Sequence, residues 1–373
     1  MKNAIAVMLM FMIVAAAHAK SIAPEKPARH VDLAICLDTS GSMSGLIQSA
    51  KQKLWAVVNE LATAKPKPVL RVALYHYGND GLKAENGWVK QLCPLTADLD
   101  TVYENLFKLT TNGGTEYVAR VMHAATTQLQ WDKSKSALRI IFVAGNEPAT
   151  QDKVHKLRDT CKAAATAGII VNTIHCGSEA TGRKTGWSDA AVWSDGQYAA
   201  IDHDRGTVVI NTPHDKKLAE LSAKLNTTYV GYGKGGSAGA ARQKAQDANA
   251  SSLNVAASAQ RASAKAGGLY NNAAWDLVDA SKAKDFDVTK IKNEDLPEPM
   301  QKMSDSEKKA YVSKQAANRA AIQKEIMELS RKRDAFVKAE MARKGLDEKA
   351  SFDAALRKMV RTQAEKQNFK FEK

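Results

Sequence analysis

Asp38-Thr39-Ser40-Gly41-Ser42 sets one carboxylate and two hydroxyls at alternate positions of a five-residue segment. Spacing of the form D-x-S-x-S can aim all three oxygens at one point beyond the end of a strand. They are hard donors, few in number and low in charge, which suits Mg²⁺, an ion that keeps waters and prefers octahedral oxygen ligation. Gly113-Gly114-Thr115 is a second element of the same kind. It lies in a loop before an expected helix, where a Thr hydroxyl can complete the site. Cys36, Cys93, Cys161 and Cys176 show no C-x-x-C spacing and no clustered His, which argues against zinc. Four Cys allow three pairings, and sequence does not choose among them; buried thiols with at most one bridge are expected.

The elements around these residues must place them together. Val31 to Leu37 is a short apolar strand, and Leu46, Ala50, Leu54, Val57, Val58 and Leu61 recur at helical spacing after it. Further strands are expected at Val69 to Tyr77, Trp88 to Leu92, Leu138 to Ala144, Ile169 to His175, Gln197 to Ile201, Val208 to Ile210 and Thr228 to Tyr232. Helices are expected between them at about Leu99 to Leu109, Tyr117 to Leu129, Asp152 to Ala167 and Thr212 to Leu225. Leu138 to Ala144 (LRIIFVA) is almost continuously apolar, as a central parallel strand covered on both faces would be. This alternation predicts a doubly wound, mostly parallel α/β domain over residues 31–233. Asp38 then sits at the carboxyl end of the first strand, the edge where such folds bind ligands.

With the two motifs in this order, the sequence resembles the von Willebrand factor A family. Asp38, Ser40, Ser42 and Thr115 match the metal-ion-dependent adhesion site of that family. The resemblance implies a Rossmann-like domain that binds Mg²⁺ or Mn²⁺. Ser40, Ser42 and Thr115 would ligate through hydroxyls, with Asp38 close by and often acting through water. An open coordination position would take a carboxylate from a protein partner. One position departs from the pattern. The family usually has Asp-Gly after its fourth strand, whereas Ile140 to Pro148 reads IIFVAGNEP, with Gly145-Asn146 in that place. Asn146, Glu147 or Asp152 are the candidates to substitute, directly or through water. FVAGNEP, GGTEYV and NTIHCG also resemble a bacterial subgroup of exported proteins with an Ala/Lys-rich helical tail and a Phe-rich tip, as Phe369-Lys370-Phe371 is here.

The rest of the chain reads differently. Gly233 to Gly239 (GKGGSAG) is expected as a flexible hinge, with residues 234–239 between the domain and an all-α region, 240–373. Helices are expected at Ala240 to Lys265, at Ala273 to Ser281 and at Ser351 to Gln367. A long helix should start at the capping box Ser304-x-x-Glu307 and run to about Lys344, with Gly345 ending it. Its apolar stripe of Ile322, Ile326, Leu329, Phe336 and Met341 is interrupted by Arg319 and Arg333, too poor for a coiled coil.

Before this domain, Lys2, the apolar run Ala4 to Ala16 and Ala17-His18-Ala19 read as a signal peptide cleaved after Ala19, followed by a linker over 20–30. The expected location is periplasmic or secreted, with no transmembrane segment in the mature chain. Residues 20–233 carry 25 Lys and Arg against 21 Asp and Glu, and residues 234–373 carry 28 against 19. The excess positive charge therefore belongs to the tail. It points to an anionic envelope surface or an acidic protein rather than nucleic acid. The basic run Arg331-Lys332-Arg333 has no stacking aromatics beside it.

Other motifs fail a physical test. Gly231-x-Gly233-x-x-Gly236 matches the dinucleotide fingerprint, but no strand with a terminal acid follows it. His175 reads as a structural strand-end histidine, Asp202-His203-Asp204 as a polar turn, and Trp187 and Trp193 as packing for the insertion after the fifth strand. Ser42 lies in no G-x-S-x-G context, and the histidines form no spaced motif. The expected function is non-enzymatic capture of a protein partner through the metal. The rival readings are a metal-free envelope assembly module acting through the tail, and a metal-assisted hydrolase with Glu116 or Glu147 as its base.

Overall fold

The computed structural model describes residues 29–201, 209–346 and 352–371. The expected signal peptide 1–19, most of the linker, Asp202-His203-Asp204, Val208 and Ser351 lie outside the described residues.

The α/β part runs β1 (His30–Asp38), α1 (Ser44–Ala62), β2 (Ala64–Lys65), β3 (Val69–Tyr77), β4 (Val89–Thr96), α2 (Leu99–Phe107), α3 (Val118–Gln128), β5 (Leu138–Gly145), α4 (Leu157–Thr166), β6 (Ile170–Cys176), α5 (Glu179–Lys184), α6 (Trp187–Trp193) and β7 (Tyr198–Ile201). Six strands form one sheet in the order β4-β3-β1-β5-β6-β7. All neighbours are parallel except the β3–β4 pair. Period-two alternation splits each central strand between two cores. Leu33, Ile35 and Leu37 of β1 pack with α1 and α2, while Ala34 and Cys36 pack with α3 and α4 on the other face. The chain leaves β1 towards β3 on one side and continues from β5 on the other. The carboxyl ends of β1 and β5 therefore flank the topological switch point, where a crevice opens.

The remaining helices are α7 (Asp215–Asn226), α8 (Gly236–Leu253), α9 (Val255–Ala266), α10 (Leu277–Ala280), α11 (Glu298–Gln301), α12 (Asp305–Arg343) and α13 (Phe352–Lys366), followed by β8 (Lys370–Phe371). The capping box of α12 is formed: Ser304 Oγ accepts from the Glu307 N–H, and the Glu307 carboxylate accepts from the Ser304 N–H. At 39 residues this helix is about 58 Å long at 1.5 Å per residue. Gly345 closes it at φ 63°.

The tail is built into the α/β part. Leu356, Met359, Val360 and Ala364 of α13 belong to the same apolar core as β1 and α1. Asn172 of β6 and Gln363 exchange amide hydrogen bonds of 3.0 and 2.6 Å in that interface. The Phe-rich tip is a strand: β8 pairs antiparallel with β2, and Phe369 is buried. The region expected to be all-α thus ends in two residues of β structure.

Several expected elements differ for local reasons. The glycine-rich segment is not a loose spacer, because Gly236–Leu253 is helical and a Cβ on Gly236 would lie 2.8 Å from the Gly231 carbonyl carbon. The helix expected over Ala240 to Lys265 is two helices, broken where the Asn254 side chain caps α9 by accepting from the Ala257 N–H. Thr228 to Tyr232 forms no strand. Its backbone is claimed by the tail, with Leu277 N–H donating to Val230 O and Tyr232 N–H to Trp275 O. Only α10 forms within Ala273 to Ser281, and no strand forms at 209–210. Helix α4 begins at Leu157 because Asp152 is engaged in an ion pair with Arg120 at 2.9 Å. Helices α5 and α6 lie in the insertion that sequence periodicity left blank.

Candidate metal centre

Four loops meet at the switch point. Asn112 N–H donates to Thr39 O at 3.1 Å, and Gly41 N–H donates to Gly113 O at 2.6 Å. These bonds bring the Gly113-Gly114 loop onto the D-x-S-x-S segment. Asn79 Nδ2 donates to both Thr39 O and Thr110 O at 3.1 Å, which adds the loop after β3. Asn146, just past β5, donates its amide to Ser42 Oγ at 3.0 Å. Gly113 has φ 52°, in the left-handed region that favours glycine.

Within this frame Asp38 is fully buried, Ser40 is buried and Ser42 is exposed. Asp38 Oδ1 accepts from the Ser40 N–H at 2.8 Å, and the two seryl oxygens stand 3.3 Å apart. The other carboxylate oxygen, Asp38 Oδ2, has no hydrogen-bond partner, and neither has Asn146 Oδ1. Gly145 leaves room here: a Cβ on it would lie 2.9 Å from Asp38 Oδ2. Burial raises the Asp38 carboxyl to about 7, a hydrogen bond from Ser40 opposes this, and the charges of Glu116 and Glu147 add to it. Burial and the Glu147 charge likewise raise Glu116.

A buried carboxylate is costly unless a cation or donors compensate it. Asp38 has a donor on one oxygen only, and neighbouring carboxylates repel it. A divalent cation would supply the missing charge, and the oxygens present fit one. Asp38, Ser40 and Ser42 are brought together as their spacing predicts, and Asn146 joins them through Ser42. Thr115 is half-buried in the adjoining loop and makes no hydrogen bond among the described residues. Glu147 contributes charge, while its backbone oxygen accepts from Trp187 Nε1 at 2.8 Å. Among the described residues no three His, Cys, Asp or Glu side chains gather as a metal cluster. The donor set therefore depends on hydroxyls.

The other candidates are structural. His175 is buried against the Trp187 ring, with centroids 5.8 Å apart. Asp152 is held by Arg120 and accepts from the N–H groups of Val154 and His155. All four cysteines are buried and none forms a disulfide, and burial raises the thiols of three of them, Cys36, Cys93 to about 11 and Cys161 to about 12. The tail also holds charged residues that the sequence pattern did not assign. Arg319 reaches Asp276 at 2.6 Å and Asp279 at 3.1 Å, and Arg333 reaches Asp215 at 2.8 Å. The interruptions in the apolar stripe of α12 are its buried ion pairs.

A parallel sheet with a D-x-S-x-S segment at its switch point defines a class of domain. Residues 32–184 match the family model of the von Willebrand factor type A domain, and the chain carries such a domain there. No curated protein matches the chain. Among solved structures, it is similar to the SpRpn10 VWA domain at 16% identity, covering 49% of this chain and 100% of that one, with a TM-score of 0.37. It is also similar to mussel byssus proximal thread matrix protein 1 with a zinc-occupied MIDAS motif, at 13% identity, 48% and 43% coverage and a TM-score of 0.37. A von Willebrand factor type A protein from Catenulispora acidiphila is similar at 16% identity, 48% and 40% coverage and a TM-score of 0.36. The chain thus spans less than half of the mussel protein. Among the described residues no helix is long and apolar enough to cross a membrane.

Proposed function

We propose that this chain is an exported, non-enzymatic binding protein. Its von Willebrand factor type A domain takes Mg²⁺ or Mn²⁺ at Asp38, Ser40 and Ser42, with Thr115 closing the site. An ion held there would leave a position for an oxygen ligand, a carboxylate by preference, from a protein partner. The observation that carries this reading is the fully buried Asp38 carboxylate whose Oδ2 has no partner, next to the Ser40 and Ser42 hydroxyls. The ion would supply positive charge and vacant coordination. The chain's own residues position it: the Ser40 N–H fixes Asp38, Asn146 orients Ser42, and the hydrogen bonds of Gly41 and Asn112 hold the Gly113-Gly114 loop against both. Export rests on the N-terminal sequence alone.

The test is affinity capture from envelope extract using wild type and Ser42→Ala, each with Mg²⁺ and with EDTA. A partner retained by wild type in Mg²⁺ and lost in the other three arms supports the proposal. Equal capture in all four arms contradicts it. Truncation at residue 240 is not a usable control, because it would strip α13 from the core shared with β1 and α1.

A further inference from the structure

At the end of β5 the chain has Gly145-Asn146, so no carboxylate comes from that point to the Asp38 side chain. We infer that Glu116 supplies a second carboxylate, as a further ligand to the cation held by Asp38, Ser40 and Ser42. This rests on the metal-binding reading above and adds a residue to it.

Two glycines show where the Glu116 side chain lies. A Cβ on Gly78 would lie 2.8 Å from Asp38 Oδ1 and 2.8 Å from Glu116 Cγ, so both acidic side chains reach the same small space. A Cβ on Gly114 would overlap Glu116 Oε1 and lie 2.6 Å from Ser40 Cβ. The carboxyl of Glu116 therefore occupies a slot between two residues without side chains, beside Ser40. Both glycines have positive φ, 75° and 157°, so a side chain at either would be strained as well as crowded.

The Asp38 and Glu116 side chains converge beside Gly78. Among the described residues no Lys, Arg or His makes an ion pair with Glu116 or Asp38; Arg120, in the same stretch of chain, is taken by Asp152. Carboxylates brought together without a cation repel, and a cation that neutralises them is bound the more tightly. Asp38, moreover, is completely buried with one oxygen unpartnered. Glu147 is the weaker candidate, because its side chain is not among the nearest contacts of Gly78, Gly114 or Gly145.

The experiment titrates the full-length, EDTA-stripped protein with Mn²⁺, read by calorimetry and by the loss of free Mn²⁺ paramagnetic resonance signal. The samples are wild type, Ser42→Ala, Glu116→Gln and Glu147→Gln. The expected result is one Mn²⁺ site in wild type, weakened by about tenfold or more in Ser42→Ala and Glu116→Gln and by less than about threefold in Glu147→Gln. Metal-free Glu116→Gln should melt at or above the wild-type temperature, since a like charge has been removed. Wild-type Mn²⁺ affinity in Glu116→Gln together with loss in Ser42→Ala would overturn the role of Glu116 and leave the centre standing. A lower metal-free melting temperature for Glu116→Gln would also overturn it, since the carboxylate would then be holding the loop. No Mn²⁺ binding by wild type would overturn the metal-binding reading itself.

Discussion

Asp38 and Asp276 are both fully buried carboxylates, yet their surroundings differ in kind. Asp276 accepts from Arg319 and from the Val230 and Asp279 N–H groups. The Arg319 guanidinium is shared with Asp279, with Thr228 and with the face of the Tyr229 ring 3.8 Å away. Asp38 has the Ser40 N–H on one oxygen and nothing on the other. The tail is a region in which buried charge has been closed within the protein. The switch point is a region in which it has been left open. Burial of a charge thus marks architecture in one place and, in the function proposed above, a binding site in the other, and the difference is whether the protein brings its own counter-charge.

The tail's ion pairs also explain where much of its basicity goes. Arg261 reaches Asp100 of α2, Arg242 reaches Asp98 and Glu104, and Arg361 reaches Glu60 of α1. These basic side chains dock the tail onto acids of the α/β part. Charge that composition alone assigns to an external partner is partly internal.

The largest expected effect comes from breaking the closed region. Arg319→Ala leaves Asp276 and Asp279 buried without their cation and should cost about 3–5 kcal/mol of unfolding free energy. Chemical denaturation measures it; a loss below about 1 kcal/mol would mean the pair is not buried as described.

Acid separates the two regions next, because guanidinium groups stay charged while a buried histidine does not stay neutral. His76 bonds Thr39 Oγ1 at 3.1 Å behind the D-x-S-x-S segment, and burial followed by the Lys90 charge lowers it from 6.5 to about 4. Its folded form is neutral, so its contribution is complete above pH 6.5 and is lost as pH falls towards 4. Relative to His76→Gln, wild type should lose on the order of 3 kcal/mol across that window. Asp38 runs the opposite way: with its carboxyl raised to about 7, the folded state takes up a proton first and gains as pH falls from 7 towards the ordinary carboxylate value. The comparison is therefore with the variant, and parallel pH curves for the two proteins would contradict the role given to His76.

The smallest effect has the opposite sign. Asp38→Asn at pH 8 removes an uncompensated buried charge, so the metal-free protein should gain about 1 kcal/mol while losing its response to Mg²⁺. A fall of that size on denaturant unfolding would place Asp38 with the closed carboxylates of the tail.

Much of this contrast was legible in the sequence, but unequally. Long apolar runs such as Val31 to Leu37 and Leu138 to Ala144 disclosed the sheet, because a strand buried on both faces has few other readings. The D-x-S-x-S segment disclosed Asp38, Ser40 and Ser42, since their geometry is local to one turn. Glu116 appeared only as a candidate base, because its approach to Ser40 depends on Gly78 and Gly114, one of them distant in sequence. Arg319 and Arg333 looked like defects in an apolar stripe, because their partners Asp276 and Asp215 lie on other elements. Asn254 carried a capping signal, submerged in an Ala-rich stretch with helical propensity throughout. Tertiary pairing, rather than local propensity, decided each of these.

The most direct test of the open site is thermal unfolding of the EDTA-stripped full-length protein, with and without Mg²⁺, for wild type and Ser42→Ala. Metal at 100 times its dissociation constant should stabilise wild type by about 2.7 kcal/mol and raise its melting temperature, with little or no shift in Ser42→Ala. Identical melting of wild type in Mg²⁺ and in EDTA would contradict the account, and the unpartnered oxygen of Asp38 would then need another explanation.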